Sequence, residues 1–256
     1  MGKIISVANQ KGGVGKTTTS ISLACGLALN SKKVLLVDLD PQFNASTGIG
    51  IDIDNATKSM YNVLIGQEVL ADIIIKNVKP GVDLAPSSID LAAADLYLLE
   101  QKENNQNILK KQLETVKNNY DFIIIDCPPS LGLINRNGLT SSDSVLIPIQ
   151  AEHYAMHGVA QLLRTIKKVK ETLNPRLTIE GVLVTMFDSR TRLAHDILEE
   201  VRKTFDTKVY SSYIPRNIRI SESSLEGKSI FEHDPKGPGA IAYGDFVREV
   251  IEQNGK

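Results

Sequence analysis

The sequence contains no tryptophan, and aromatic residues make up only 5% of it. Cysteine is scarcer than the length would allow: Cys25 and Cys127 are the two among 256 residues, and neither belongs to a Cys-x-x-Cys pair. That excludes a disulfide framework and a thiolate zinc knuckle, and it fits a reducing compartment. Cys25 falls among Leu23, Ala24 and Leu27 and reads as a buried structural thiol. No run approaches the ~20 apolar residues needed to cross a bilayer. Neither sign of charge dominates, with 29 basic and 30 acidic residues for a net −1, so no global positive field draws the chain to nucleic acid. Any such binding must come from a local patch. Met1–Val7 lacks the charged leader and apolar core of a signal peptide. Gly2 offers a site for myristate, but the run after it reads as a core strand, so lipidation is not expected. No repeat, low-complexity tract or Gly/Pro/Ser linker divides the chain. The expectation is one cytoplasmic domain over residues 1–256.

What is present is alternation. Lys3–Ala8, Lys33–Val37, Val82–Ala85, Phe122–Ile125, Ser144–Ile149 and Glu180–Thr185 are short runs of Val, Ile and Leu, the pattern of parallel strands buried on both faces. Between them lie helical stretches at Lys16–Leu29, Leu91–Leu99, Asn107–Lys117, Gly158–Leu173 and Leu193–Phe205. In the last, Leu193, Ile197, Leu198, Val201 and Phe205 form one apolar stripe. The alternation predicts an α/β fold, a doubly wound, mostly parallel sheet with helices on both faces. Ligands of such sheets bind beyond the carboxyl ends of the strands.

The motifs fall at those ends. After the first strand comes Asn9-Gln10-Lys11-Gly12-Gly13-Val14-Gly15-Lys16-Thr17-Thr18, then a helix. Glycines let successive N–H groups turn toward phosphate oxygens, and the helix N-terminus adds partial positive charge. Lys16 would reach the β- and γ-phosphates of ATP, and the Thr17 hydroxyl would ligate Mg²⁺. The run Phe122–Ile125 ends in Asp126, an acid placed to order Mg²⁺ through its water. The second strand ends Asp38-Leu39-Asp40-Pro41-Gln42, so a carboxylate faces the phosphate loop. Taken alone, Asp38 and Asp40 each read as a solvated strand end or helix cap. His153 and His157 are four apart, but no third ligand is evident, so no histidine metal site is expected.

The loop departs from the common Walker form, which has a glycine where Gln10 stands, and it adds a second lysine, Lys11. KGGVGKTT resembles the deviant Walker A signature of the ParA/MinD superfamily of P-loop NTPases, and the resemblance covers nearly the whole chain. DCPPSLG at 126–132, EGVLVTMFDSRT at 180–191 and IPRNIRISE at 214–222 are similar to the Soj-like ParA branch. The resemblance implies that Lys11 reaches across a face-to-face homodimer to the partner's ATP, joining nucleotide binding to pairing. It implies that Asp40 positions the attacking water, that residues 40–46 act as switch I, and that switch II follows Asp126. Pro215, Arg216 and Asn217 would contact adenine. Arg190 and Arg219 would bind double-stranded DNA without sequence preference, and Lys208, Arg216 and Arg219 stand between Thr207 and Ser221 with no acid among them. A ParB-like centromere-binding protein would accelerate slow hydrolysis on the nucleoid of a bacterial cell. The chain's start at the ATPase motif leads to an expectation of no DNA-reading N-terminal extension.

The alternative reading is a MinD-like ATPase positioned on membrane or another assembly. The C-terminal stretch sets Phe246, Val247, Val250 and Ile251 on one stripe among balanced charges, which favours a packed helix, and no membrane partner is expected. Departures from the family pattern are Phe43 where switch I usually has glycine, residues 223–226, and Lys236-Gly237-Pro238.

Overall fold

The computed structural model describes residues 2–53, 58–101, 105–152 and 155–255, the side chains of 155–158 excepted. His153 and the His157 side chain lie outside them, and the histidine reading with them. Among the described residues no group of His, Cys, Asp and Glu could hold a metal ion by itself.

One eight-stranded sheet organises the chain. Its central strands are β1 (Lys3–Val7), β2 (Val34–Asp38), β5 (Phe122–Asp126) and β6 (Ser144–Gln150), flanked by β4 (Val82–Ala85) and β7 (Thr178–Phe187). β3 (Ile75–Lys79) and β8 (Val209–Pro215) close the two edges, in the order β3-β4-β2-β5-β1-β6-β7-β8. Every pairing is parallel except β3 with β4. β2, β5 and β6 are buried along their whole length, which is why they read as unbroken apolar runs.

Two hydrophobic cores lie on opposite faces of the sheet. Ile4, Leu35, Val37, Ile123 and Ile125 point into one, and Ile5, Val7, Leu36, Phe122 and Ile124 into the other. The first face is covered by α5 (Leu91–Glu100), α6 (Ile108–Val116), α7 (Leu133–Ser141), α8 (Ala155–Thr172) and α9 (Arg192–Phe205). The second is covered by α1 (Lys16–Leu29) and α12 (Pro238–Gln253). In α12, Phe246, Val247 and Val250 are fully buried, so its apolar stripe is spent on the core. No described helix is long and apolar enough to cross a membrane. Cys25 and Cys127 are both buried, and burial pushes each thiol up to about 12.

β1, β2, β5 and β6 end on the same edge, and the loop before α1, α2 (Asn44–Gly48) and α10 (Ile218–Leu225) gather there. In-register pairing sets Val7 beside Asp126 and Asp126 beside Asp38.

Candidate functional site

The loop between β1 and α1 folds as a cradle. Gly13 and Gly15 have φ of 74° and 83°, a left-handed backbone that costs other residues energy and glycine none. A Cβ built on Gly12 or Gly13 would meet nothing within 4 Å, so both face open space. The Asn9 amide donates to Pro148 O (2.7 Å), and its Oδ1 accepts from Lys11 N (3.0 Å), bracing the loop on β6. Thr185 Oγ1 donates to Val14 O (2.9 Å) and braces the other side on β7.

A cavity of about 610 Å³ opens above this loop, lined by Gly12, Gly13, Gly15, Lys16, Thr17, Thr18, Asp40 and residues of α2 and α10. Lys16 is buried, and its Nζ donates to Lys11 O (3.1 Å), so the ammonium curls over the loop. Desolvation lowers its pKa, and the Asp126 and Asp40 carboxylates oppose that shift. The charges of the two acids therefore offset part of what the ammonium loses by leaving solvent.

Asp126 is fully buried, and both its oxygens are occupied: Thr17 Oγ1 and Ser20 Oγ each donate at 2.8 Å. Burial raises its carboxyl to about 6. A hydroxyl and a carboxylate in contact at the mouth of a phosphate cradle are hard oxygen donors of the kind Mg²⁺ takes, so the residues present fit that ion. Ser20 had no signal of its own in the sequence, although it lies one helical turn beyond Lys16 and Thr17 on α1.

Of the two roles expected for Asp38, strand end or helix cap, the structure shows the cap. Asp38 is not a solvated strand end but fully buried, accepting Ser46 N (2.8 Å), Ser46 Oγ (2.7 Å) and Asp40 N (3.1 Å). Ser46 lies in the first turn of α2, so Asp38 caps that helix from the neighbouring strand. Burial, with the charge of Asp126 beside it, raises the carboxyl to about 7. Asp40 follows on the same strand end, lines the cavity and accepts Gln42 N (3.0 Å). The segment 40–46 is thereby tied to β2 at both ends. Phe43, where the family pattern has glycine, sits at φ 44°, in glycine's part of conformational space.

A second cavity of about 280 Å³ adjoins the first and shares Gly15, Thr18, Met186 and Ser221 with it. Pro215, Arg216 and Asn217, the residues that the resemblance puts against adenine, line it. Asn217 also accepts Arg219 N (2.9 Å) and caps α10. Tyr243 of α12 lines the same cavity, and its hydroxyl lies 3.2 Å from Thr19 Oγ1, a contribution the sequence did not signal. Met186, at φ 50°, stands between the two cavities.

A sequence-family profile for an AAA domain matches residues 2–179. The sporulation initiation inhibitor protein Soj of Bacillus subtilis is 50% identical over 250 residues, covering 98% of each chain. The chromosome partitioning protein ParA of Myxococcus xanthus is 44% identical, covering 99% of this chain and 89% of its own. The chain belongs to the ParA family of ATPases. A solved Mycobacterium smegmatis structure, of cobyrinic acid a,c-diamide synthase with a bound ATP analogue and magnesium, is 37% identical. It has a TM-score of 0.87, with all of this chain and 98% of that one covered. This ParA-family protein is accordingly an ATP hydrolase that uses ATP and Mg²⁺, on the P-loop fold described above.

The remaining candidate residues of this ParA-family chain are cations outside the phosphate cavity. Lys11 is half-buried on the rim, and its Nζ reaches Glu152 Oε2 (3.4 Å) at the end of β6. Glu152 Oε1 also accepts from Arg216 (3.2 Å) and from the Gln150 amide, so one carboxylate joins the phosphate loop to the lining of the second cavity. Arg190 and Arg219 are exposed, and each lies against an acid: Asp188 for the first (2.7 Å) and Glu222 for the second (3.1 Å). Hydrogen bonds from Arg190 hold the Asp188 carboxyl down at about 2. The stretch from Thr207 to Ser221 reads as purely basic because its counter-charges, Glu152 and Glu222, lie outside it.

Proposed function

We propose that this chain is one P-loop ATPase domain that pairs face to face around two Mg²⁺-ATP, binds duplex DNA without sequence preference, and is reset by a ParB-like partner during chromosome or plasmid segregation. In this reading it works in the cytoplasm, on the nucleoid. The observation that carries the reading is the unequal placement of the two lysines. Lys16 is buried in the cavity, while Lys11 turns out of it to Glu152 at the exposed edge. A cation so placed has no phosphate of its own to serve, and a partner's triphosphate presented across that edge would give it one.

Each residue has a separable task. The backbone N–H groups of residues 12–18 cradle the phosphates. Lys16 neutralises charge developing on the transferred phosphoryl group. Thr17 and Asp126 would hold Mg²⁺, which when bound would supply neutralisation of the phosphate charge. Asp40, fixed by Asp38 and Gln42 N, orients the water that attacks the terminal phosphorus as the bond to the ADP oxygen breaks. Pro215, Arg216 and Asn217 frame the base. Among the described residues no arginine lines the phosphate cavity, so intrinsic turnover is slow and a partner has room to raise it.

Gel filtration with and without a non-hydrolysable ATP analogue tests the pairing: a nucleotide-dependent dimer is expected, and it should disappear in Lys11→Ala. Retention on random duplex DNA tests the second part, and retention on anionic vesicles tests the MinD-like alternative. Salt-sensitive DNA retention that needs ATP and is lost in Arg190→Ala or Arg219→Ala is the expected outcome. A monomer at every nucleotide state and high protein concentration would remove the mechanism.

A further inference from the structure

Both arginines read as DNA contacts already grip an anion. Arg190 donates Nε and NH2 to the two oxygens of Asp188, at 2.8 and 2.7 Å, the two-pronged geometry with which a guanidinium also takes a phosphate. Asp188 has little freedom to leave. Its Oδ1 accepts Arg190 N (3.1 Å) and its backbone oxygen accepts the Thr191 hydroxyl (3.1 Å), closing a turn before α9. Arg219 donates to Glu222 Oε2 (3.1 Å) one turn along α10, and that same oxygen lies 3.6 Å from Nε2 of His233. The His233 side chain is only 8% exposed, and at 3.6 Å it packs beside the carboxylate without hydrogen bonding to it. Arg190 and Arg219 themselves are 86% and 58% exposed.

We propose that Asp188 and Glu222 are resident competitors of the DNA backbone: they occupy Arg190 and Arg219 in the DNA-free protein and keep the duplex affinity of each protomer low. This rests on the DNA-binding reading above and adds to it the residues that set its strength. Exposed ion pairs are weak, so phosphate can displace the carboxylates from the guanidinium groups. The displaced carboxylates cannot go far, because Asp188 is a short side chain in a closed turn and Glu222 is anchored on α10 one turn from Arg219. Each bound phosphate therefore meets an arginine and a nearby negative charge together. The consequence is a surface on which single contacts count for little. Stable retention then requires several arginines at once, as a pair of protomers would present them.

The alternative role for the same carboxylates is positioning, in which they hold the guanidinium groups in a DNA-ready pose. The two roles predict opposite signs. The full chain and its Asp188→Asn and Glu222→Gln variants are bound to random duplex DNA with a non-hydrolysable ATP analogue, between 50 and 200 mM salt. Competition predicts tighter binding for both, about twofold to fivefold for Asp188→Asn. The logarithmic salt dependence should steepen by about one for each carboxylate removed. Weaker binding of Asp188→Asn, or an unchanged salt slope, while the wild-type protein still loses retention in Arg190→Ala, overturns the competition and leaves the DNA reading standing. A gain that survives in Asp188→Asn/Arg190→Ala also overturns it, since the freed arginine would not be its source. Absence of DNA retention in the wild-type protein and in every variant overturns both. Because Asp188 lies in an exposed turn, its variant carries the test even if Glu222→Gln disturbs the packing around His233.

Discussion

Two carboxylates on the same edge of the sheet, Asp38 and Glu152, each collect three donors, and their surroundings give them opposite characters. Asp38 is fully buried, and its donors are the neutral groups Ser46 N, Ser46 Oγ and Asp40 N. Glu152 is 45% exposed, and its donors are the cations Lys11 and Arg216 together with the Gln150 amide. A buried hydrogen-bonded group cannot change partners without leaving donors unsatisfied, whereas a half-solvated ion pair loses little when water or phosphate replaces one side. The phosphate edge is thus built in two grades. One is a fixed floor of Asp38, Asp126, Thr17 and Ser20, and the other is an exchangeable rim of Lys11, Arg216, Arg190 and Arg219. The floor suits chemistry that needs fixed geometry, and the rim suits partners that arrive and depart.

Lys16 belongs to the floor by burial and should show the largest effect. Lys16→Ala should lower phosphate release at saturating ATP by about 10²-fold or more, since it removes a preorganised charge from a desolvated cavity. A residual rate above a tenth of wild type would place the catalytic charge elsewhere.

The next largest effect separates the grades directly. Asp38→Ala leaves three buried donors unmatched and should cost about 3 kcal/mol, a fall of about 6–10 °C in the thermal midpoint. Glu152→Ala removes as many contacts at the rim and should cost under about 1 kcal/mol. Calorimetry of both variants without nucleotide makes the comparison. Equal losses would mean that the rim is as rigid as the floor, and the exchange ascribed to Lys11 would lose its basis.

How much of this could be read in the sequence followed from how local each signal is. β1, β2, β5 and β6 were legible because burial on both faces writes a continuous apolar run. β3 was not, because it is an edge strand whose sequence, Ile-Lys-Asn-Val-Lys, includes Asn77 at φ 55°. β8 was missed as a strand, since Ser211 and Ser212 interrupt the apolar run of Val-Tyr-Ser-Ser-Tyr-Ile-Pro. α7 was hidden by Asn135 and Asn137, polar residues that are buried because their amides reach Pro128 O and Leu133 O. The phosphate loop was legible because its chemistry sits within ten consecutive residues. Glu152 and Tyr243 were not, because the fold brings them to the site from 141 residues beyond Lys11 and 224 beyond Thr19. Asp38 was visible, but only burial distinguishes a capping acid from a solvated strand end, and burial at a strand end depends on what packs over it.

The smallest expected effect concerns the joint between floor and rim, where Phe43 leads the segment after β2 into α2 at φ 44°. An L-residue pays about 1–2 kcal/mol for that left-handed conformation, and glycine does not. Phe43→Gly alone would mix this relief with the loss of a half-buried ring. Phe43→Ala loses the ring equally and keeps the Cβ, so the pair isolates the backbone. At an ordinary position alanine is the more stable of the two, because glycine gives up more freedom on folding. Here the order should reverse, with the midpoint of Phe43→Gly about 2–4 °C above that of Phe43→Ala. The alanine variant melting higher would mean that the segment does not hold its left-handed bend in solution. Asp38 would then be anchoring a segment in some other path.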